Sequence, residues 1–212
     1  MANKTLTQMQ TELGTRLEDP DATIFTDSVK KDHLNNAIRE LILILKEDYI
    51  FPLIAEHSIS LDGTVTPVST FALSGLTYSI INERVVDVLL GENVTDTITY
   101  NTYMDILPLK RLTDSHYYES GTKYPKYNVE DGVVTFYDGL DAKERTYKMR
   151  YLKHPTDLSS SSDTSPLDEM FDTIIISMAQ ATLLETDSSG SNAMKAKQVN
   201  DNVMVKIQAI NG

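Results

Sequence analysis

Apolar residues recur at steps of three and four along residues 25–49, a spacing that places them on one face of an α-helix. The recurring positions are Val29, Leu34, Ile38, Leu41, Ile42, Leu45 and Tyr49. Thr26 can cap the first turn, and Asp27 suits the positive end of the helix dipole. Pro52 ends the helix at or just before Phe51. We predict that the rest of the chain packs around this long helix.

The same helix has apolar side chains on a second side, at Leu43 and Ile44. A helix that is apolar most of the way round is covered on more than one side. We expect one cover to come from the chain itself and the other from a neighbouring copy. The candidate residues for that subunit interface are Leu43, Ile44, Phe51, Tyr117, Tyr118 and Tyr124.

Three further segments show helical spacing of apolar residues, namely residues 5–17, 165–182 and 192–210. Gly14 weakens the first of these helices slightly. Ser165 is suited to cap the second helix, and Pro166 to occupy its first position. Asn192 can cap the last helix. The sequence therefore predicts an N-terminal and a C-terminal helix pair.

Between the helical segments the pattern changes to the alternation that is typical of β-strands. The predicted strands are residues 58–61, 64–68, 78–90, 126–130, 133–137 and 146–152, with weaker signals at 97–104 and 107–112 and one helical turn at 114–119. The clearest feature is the hairpin at Asp131-Gly132, a pair suited to a two-residue turn. Gly91-Glu92-Asn93 predicts another turn.

The predicted fold class is α+β, with the two helix pairs forming a helical bundle and an antiparallel β insert between them. Residues 1–55 form the N-terminal part of this frame, and residues 56–156 form the β-rich insert. Residues 157–212 comprise a Ser- and Asp-rich loop and the C-terminal helices that complete the frame. We find no internal repeat.

Composition narrows the possible functions. The chain has 212 residues and a formal net charge of −12, whereas a nucleic-acid binder held by phosphate contacts needs a basic face. It contains no cysteine, which excludes disulfides and thiolate chemistry. Neither a signal-peptide pattern nor an apolar run of membrane-spanning length is present. We expect a soluble protein made in a cytoplasm.

Candidate chemistry is sparse. His33, His57, His116 and His154 are isolated, and the adjacent carboxylates Glu47-Asp48, Glu130-Asp131 and Asp168-Glu169 fall at predicted helix ends or turns. The aspartates of residues 19–27 resemble a calcium loop, but Ile24 and Lys30 occupy the positions that need glycine and glutamate. No phosphate-binding loop or nucleophile elbow is present. We therefore predict no catalytic residue, no metal site and no cofactor, and a hydrolase is the least favoured hypothesis.

Tyrosines are concentrated in the predicted β insert, at Tyr117, Tyr118, Tyr124, Tyr127, Tyr137, Tyr147 and Tyr151. Three interpretations remain open at this point. The rings can pack in the core and on sheet faces. They can form a protein–protein surface, where tyrosine is enriched. They can also form a carbohydrate platform, although no tryptophan accompanies them.

Several local motifs occur in a fixed order along nearly the whole chain. They are LGTRLEDP at 13–20, FTD at 25–27, LNNAIREL at 34–41, PL at 108–109, YPKY at 124–127, DGVVTFY at 131–137, MRYLKHP at 149–155 and PLDEMF at 166–171. In this order the chain resembles the head-to-tail adaptor, or connector, proteins of tailed bacteriophages. The exit of the long helix is more apolar than the family pattern, and residues 82–104 do not align well with it.

The resemblance implies a structural virion protein that is not an enzyme. Such adaptors form a homo-oligomeric ring, usually of twelve copies, beneath the portal protein in the virion neck. The ring extends the DNA channel, through which DNA passes without specific binding, and offers a docking platform for a tail or second neck protein. No membrane is involved. The alternative is a carbohydrate- or protein-binding module that uses the tyrosine-rich insert.

In relatives the C-terminal helix often reaches the portal. The last predicted helix here is the one basic element of an acidic chain. The portal-contact candidates are Lys195, Lys197, Val203, Lys206, Ile207 and Ile210. An acidic portal surface would attract the lysines. The alternative is an amphipathic helix that folds back on its own chain with solvated lysines.

Overall fold

The computed structural model describes residues 3–61, 68–94, 97–106, 126–137, 145–186 and 190–212. Within these residues the protein is mixed α+β. The helices are α1 (Leu6–Arg16), α2 (Asp27–Ile44), α3 (Glu47–Ile50), α4 (Asp172–Thr186) and α5 (Gly190–Asn211). The strands are β1 (Ile54–Leu61), β2 (Val68–Ala72), β3 (Ile80–Val94), β4 (Thr97–Tyr103), β5 (Asp105–Ile106), β6 (Lys126–Glu130), β7 (Val133–Tyr137) and β8 (Arg145–Lys153). Predictions for residues 62–67, 107–112 and 114–119 fall outside the described residues.

The chain divides into two compact units. Residues 1–52 and 155–212 form the helical unit, which contains the α-helices, and residues 53–154 form the β unit. The helical unit is therefore assembled from two distant parts of the sequence.

The start of α2 confirms the predicted cap. Thr26 is extended, and its hydroxyl accepts a hydrogen bond from the Val29 backbone N–H, while Asp27 lies in the first turn. Leu34, Ile38, Leu41, Ile42 and Leu45 are buried, whereas Tyr49 is partly buried. Val29 is 38% exposed and does not belong to the buried face.

The end of α2 corrects the prediction of one continuous helix. The helix stops at Ile44, and Leu45 adopts an extended conformation with its side chain buried. The short helix α3 and a 3-10 turn, Phe51–Leu53, follow. No glycine or proline marks this break in the sequence, so the spacing of apolar residues runs straight through it.

The central helix of the helical unit is α4, and not α2 as predicted. It packs against α1, α2 and α5. Its buried side chains lie all the way round the helix, at Ile174, Ile175, Ile176, Ser177, Ala179, Ala181, Leu183 and Leu184. This distribution is typical of a helix enclosed by others. Met170 and Thr182, which were predicted on its buried stripe, are exposed.

Both C-terminal helices begin at other positions than predicted. Asp168, and not Ser165, caps a 3-10 turn over Glu169–Phe171, and α4 starts only at Asp172. The last helix begins at Gly190, two residues before the predicted cap at Asn192.

The β unit contains two four-stranded sheets where one insert sheet was predicted. Their strand orders are β1-β8-β3-β4 and β2-β7-β6-β5. All pairings are antiparallel except β5 with β6. The β6–β7 hairpin matches its predicted bounds. Gly91 does not end β3, which continues to Val94 through a register shift between Leu90 and Glu92.

A hydrophobic core joins side chains from both sheets. Phe136 of β7 and Tyr147 of β8 stack with ring centroids 4.1 Å apart and planes inclined by 10°. Tyr127, Tyr151 and Met149 belong to the same buried cluster. On β3 and β8, Asp87 and Arg150 lie directly opposite each other, and the guanidinium Nε donates to Asp87 Oδ1 at 2.8 Å.

Candidate functional site

The two ends of α5 lie close to the segments that flank α2. Near its start, Lys195 Nζ lies 4.0 Å from Glu18 Oε1, in the segment that precedes α2. At its end, Asn211 Nδ2 donates to the Ile44 carbonyl at 2.9 Å, and its Oδ1 accepts from the Lys46 N–H at 3.3 Å. With 22 residues, α5 is about 33 Å long. Asn211 thus fastens the end of α5 to the break after α2.

The break after α2 presents three exposed apolar side chains. Leu43 is 44% exposed, Ile44 40% and Phe51 64%. We call these three residues the α2–α3 patch. Acidic residues surround it, because Glu40 lies one turn before Leu43 and Asp48 lies on α3, and both are exposed. The other predicted interface residues, Tyr117, Tyr118 and Tyr124, lie outside the described residues.

A ring contact and a hydrogen bond hold the patch in place. Tyr49 of α3 meets Phe171 edge-on, with centroids 5.5 Å apart. The Tyr49 hydroxyl also donates to the Ile210 carbonyl at 3.3 Å. Because Phe171 is fully buried, α3 is anchored to the core of the helical unit. The exposed Phe51 therefore follows directly on an anchored helix.

The predicted portal-contact residues divide between two faces of α5. Lys195, Lys197 and Lys206 are exposed, and Ile210 is partly buried. Val203 and Ile207 are each only 2% exposed, because they belong to the face that packs into the core of the helical unit. In this conformation those two residues offer no surface to a partner.

Sequence reasoning missed the exposed apolar residues of α5. Met194 is 78% exposed and Val205 64%. The two residues are about three turns apart and share one face, which the helical period would have shown. A shallow hollow of about 510 Å³ lies on the N-terminal half of this helix, and we call it the α5 hollow. Its lining consists of Met194, Lys195, Lys197, Gln198, Asp201 and Asn202.

No protein-family model matches the chain. No curated protein matches it either. Its function therefore has to be argued from its own surfaces and buried groups.

The described part of the chain holds no group of three or more His, Asp or Glu side chains placed to bind a metal ion. His57 packs on the ring of Phe71, with centroids 5.3 Å apart. Within the same residues no helix is long and apolar enough to cross a membrane.

The aspartate at the start of the predicted calcium-like segment has a structural role. Asp19 is buried, and its carboxylate accepts from the N–H groups of Thr23, Ile24 and Phe25 and from the Thr23 hydroxyl, at 2.8–3.1 Å. These hydrogen bonds hold the pKa of Asp19 well below its usual range, and the one from the Phe25 N–H has the largest effect. With both oxygens engaged, the carboxylate stabilises the turn before α2.

A buried lysine completes this network. Lys30 of α2 is 1% exposed, and its Nζ donates to the Asp19 carbonyl at 3.0 Å and lies 3.7 Å from Asp19 Oδ2. Gly14 of α1 makes room for it, because a Cβ there would lie 2.9 Å from Nζ. Gly14 is therefore required by packing, although it weakens the helix.

A second buried aspartate has far fewer donors. Asp172 at the start of α4 is 2% exposed, and its Oδ2 accepts from the Lys4 N–H at 2.7 Å. Its Oδ1 has no hydrogen-bond partner among the described residues. Burial raises the pKa of Asp172 above its usual range. This carboxyl group joins the N-terminal segment to α4.

The described members of the predicted tyrosine group favour the packing interpretation, whereas Tyr78 and Tyr103, elsewhere in the β unit, are 53% and 62% exposed. Tyr127, Tyr147 and Tyr151 are 4%, 0% and 0% exposed, and Tyr137 is partly buried. Burial also raises the pKa of the Tyr127 hydroxyl. The three buried rings offer no face on which a sugar could stack.

Proposed function

We propose that this protein is a structural head-to-tail adaptor of a tailed bacteriophage. In this proposal it forms a ring in the virion neck that binds the portal protein on one side and a tail or second neck protein on the other. The N-terminal and C-terminal helix pairs act together as one bundle in the ring wall. The motif order along the chain supports this family, and the surfaces of the helical unit support the mode of action.

The α2–α3 patch is the observation that carries the proposal. Single exposed apolar residues are normal on protein surfaces, but here Leu43 and Ile44 end α2 and Phe51 directly follows the anchored helix α3, so that all three lie within nine residues of sequence. Burial of these half-exposed side chains in an interface would contribute about 1–2 kcal/mol each to the free energy of association. Their sum corresponds to a weak contact, roughly millimolar between two isolated copies. A closed ring uses such a contact once per copy, which stabilises the assembly as a whole.

The exposed lysines of α5 support the portal side of the proposal. Lys195, Lys197 and Lys206 carry the positive charge of this helix against the single Asp201. A complementary acidic portal surface would attract them and set the orientation of docking. Val203 and Ile207 stay in the core and stabilise α5 on its own chain. The net negative charge also suits a channel wall that does not retain passing DNA phosphates.

The test is assembly of the purified chain, by itself and with the portal protein of the same phage. Mass photometry and negative-stain electron microscopy should show a multi-subunit ring that docks on the portal. Reversing Lys206, which lies outside the α5 hollow, to glutamate should weaken portal capture, while the thermal melt stays unchanged. A chain that remains monomeric at every concentration, with and without portal, contradicts the proposal.

A further inference from the structure

We infer that Phe51 of one copy inserts into the α5 hollow of the next copy, so that subunits associate head to tail. This inference rests on the proposed ring function and adds the two surfaces that meet. The first surface is the α2–α3 patch with its acidic neighbours. The second is the outer face of the N-terminal half of α5, around Met194 and Lys197.

The shapes of the two surfaces correspond. At 64% exposure, Phe51 is the most exposed aromatic side chain described in the helical unit, and it follows the anchored helix α3. The α5 hollow of about 510 Å³ is a shallow depression between side chains of this one helix and is open to solvent, so a phenyl ring can pack on it. Met194 at its rim is 78% exposed, and its flexible thioether can pack against an aromatic ring. An apolar projection and a partly apolar hollow thus exist on the same chain.

The charges of the two surfaces correspond as well. Glu40 and Asp48 flank the patch, whereas Lys195 and Lys197 line the hollow together with Asp201. With a net charge of −12, most pairs of surfaces on two copies of this chain repel each other. An acidic, apolar projection can approach the N-terminal half of α5 without this electrostatic repulsion.

One copy cannot fill its own hollow with its own Phe51. The hollow is centred near Gln198, while the end of α5 at Asn211 lies beside the patch. Thirteen residues of helix separate these two positions, which is about 20 Å. A contact between two different surfaces of identical chains is heterologous, and it closes into a ring when the rotation between copies allows.

The same geometry leaves room for the portal. The hollow takes up residues 194–202, so the C-terminal half of α5, with Lys206 and Ile210, remains open to another partner. Under this inference Lys195 and Lys197 serve the contact between neighbouring copies, and the portal protein uses the C-terminal half of the same helix, with Lys206.

Two surface variants and one matched control test the inference. Phe51→Asp removes the projection, and Met194→Asp with Lys197→Glu alters the hollow. Ile106→Asp is the control, because Ile106 of the β unit is 64% exposed, the same as Phe51. All variants are compared by circular dichroism, thermal melting and mass photometry.

We expect the wild type and the Ile106→Asp control to form rings. Each surface variant should be monomeric at concentrations at least tenfold above those that assemble the wild type. An equimolar mixture of the two surface variants should form dimers of one copy of each and nothing larger, because it contains one intact projection and one intact hollow per pair. Since a single contact without ring closure is roughly millimolar, this mixture is followed by sedimentation up to about that concentration. Formation of this dimer also shows that both variants are folded.

Three results would overturn the inference. If the hollow variant assembles like the wild type, or if the mixture stays monomeric, Phe51 does not bind the α5 hollow, although rings of the wild type would still support the proposed function. If Phe51→Asp is monomeric but the hollow variant forms homodimers, the patch pairs with itself. A wild type that never assembles, even with portal, contradicts both the proposed function and this inference.

Discussion

Two buried aspartates of the helical unit show how the number of hydrogen-bond donors sets the state of a carboxyl group. Asp19 accepts from three backbone N–H groups and one hydroxyl, and Asp172 from a single backbone N–H. Donors stabilise the charged form, whereas burial without donors stabilises the neutral form. The pKa of Asp19 is therefore lowered and that of Asp172 raised. The two groups contribute opposite slopes to the pH dependence of folding.

The first prediction concerns Asp19→Asn. Because the folded-state pKa lies below the ordinary value of 3.8, Asp19 contributes to wild-type stability above that pH, and the contribution of this one group is lost as the pH falls below it. The side-chain amide of asparagine would also place an N–H group against the backbone N–H donor of Thr23 or Phe25. We expect a lower melting temperature at pH 7 and a smaller difference from wild type near pH 2. Identical melting curves at pH 7 would refute the assigned role.

Asp172→Asn should have the opposite effect. A raised folded-state pKa means that the contribution of Asp172 to stability is greatest below pH 3.8 and falls as the pH rises through its folded-state pKa. Asparagine keeps an acceptor for the Lys4 N–H without a buried charge. We expect the variant to melt at a higher temperature than wild type at pH 7 and to lose this advantage near pH 3. A variant that is less stable at pH 7 would show that the charge is needed.

At the scale of elements, Asn211 links the end of α5 to the segment between α2 and α3. Its side chain bonds to both Ile44 and Lys46, across the break that follows α2. We expect Asn211→Ala to lower the free energy of unfolding by about 1 kcal/mol. The loss is small because the Ile44 carbonyl and the Lys46 N–H, which lose their partner, are exposed and can bond to water. Hydrogen exchange at the Lys46 amide should become faster, while exchange in the middle of α4 should stay unchanged. Unaltered exchange at Lys46 would contradict this role.

The sequence predicts best the elements that depend on local chemistry. The β6–β7 hairpin has its predicted bounds because Asp131 and Gly132 adopt positive φ angles of 49° and 76°, as a two-residue turn requires. The predicted cap at Thr26 likewise depends on residues within one turn of it. Such features are set by neighbours along the chain.

Features set by distant residues could not be predicted. The break after Ile44 is stabilised by Asn211 from the other end of the sequence, and the apolar spacing gives no sign of it. The central position of α4 depends on which helices surround it. Gly91 is typical of a turn, yet the pairing of β3 with β8 and β4 continues at or beyond it. In each case tertiary contacts outweigh the local pattern.

The candidate site was predictable to a similar degree. An apolar run too wide for one helix face indicated that Leu43, Ile44 and Phe51 need a cover, and the structure leaves all three exposed. For α5 the sequence predicted the helix but left open which face meets its own chain, so Val203 and Ile207 were named as portal-contact candidates although they are buried. Which side of an amphipathic helix meets its own chain is clear only when the exposed residues, here Met194 and Val205, are also considered.

At the scale of the whole molecule, each unit has buried aromatic residues of its own. Phe136 is fully buried in the β unit among side chains from both sheets. Phe171 is fully buried in the helical unit, beside Tyr49. The chain passes between the units at residues 52–53 and again at 154–155. Substituting each phenylalanine in turn therefore tests whether a cavity in one unit also destabilises the other unit.

Phe136→Ala and Phe171→Ala should each destabilise the protein by about 3–5 kcal/mol, because each removes a fully buried ring and leaves a cavity. The loss should concentrate in the unit that holds the cavity, since local opening follows cooperative groups of packed elements. Hydrogen exchange should therefore accelerate most in β7 and β8 for Phe136→Ala, and in α3 and α4 for Phe171→Ala. Equal acceleration in both units by either variant would show that they unfold as one cooperative body. In that case ring assembly through the helical unit would also raise the protection of the β strands, which the same measurement on assembled protein would detect.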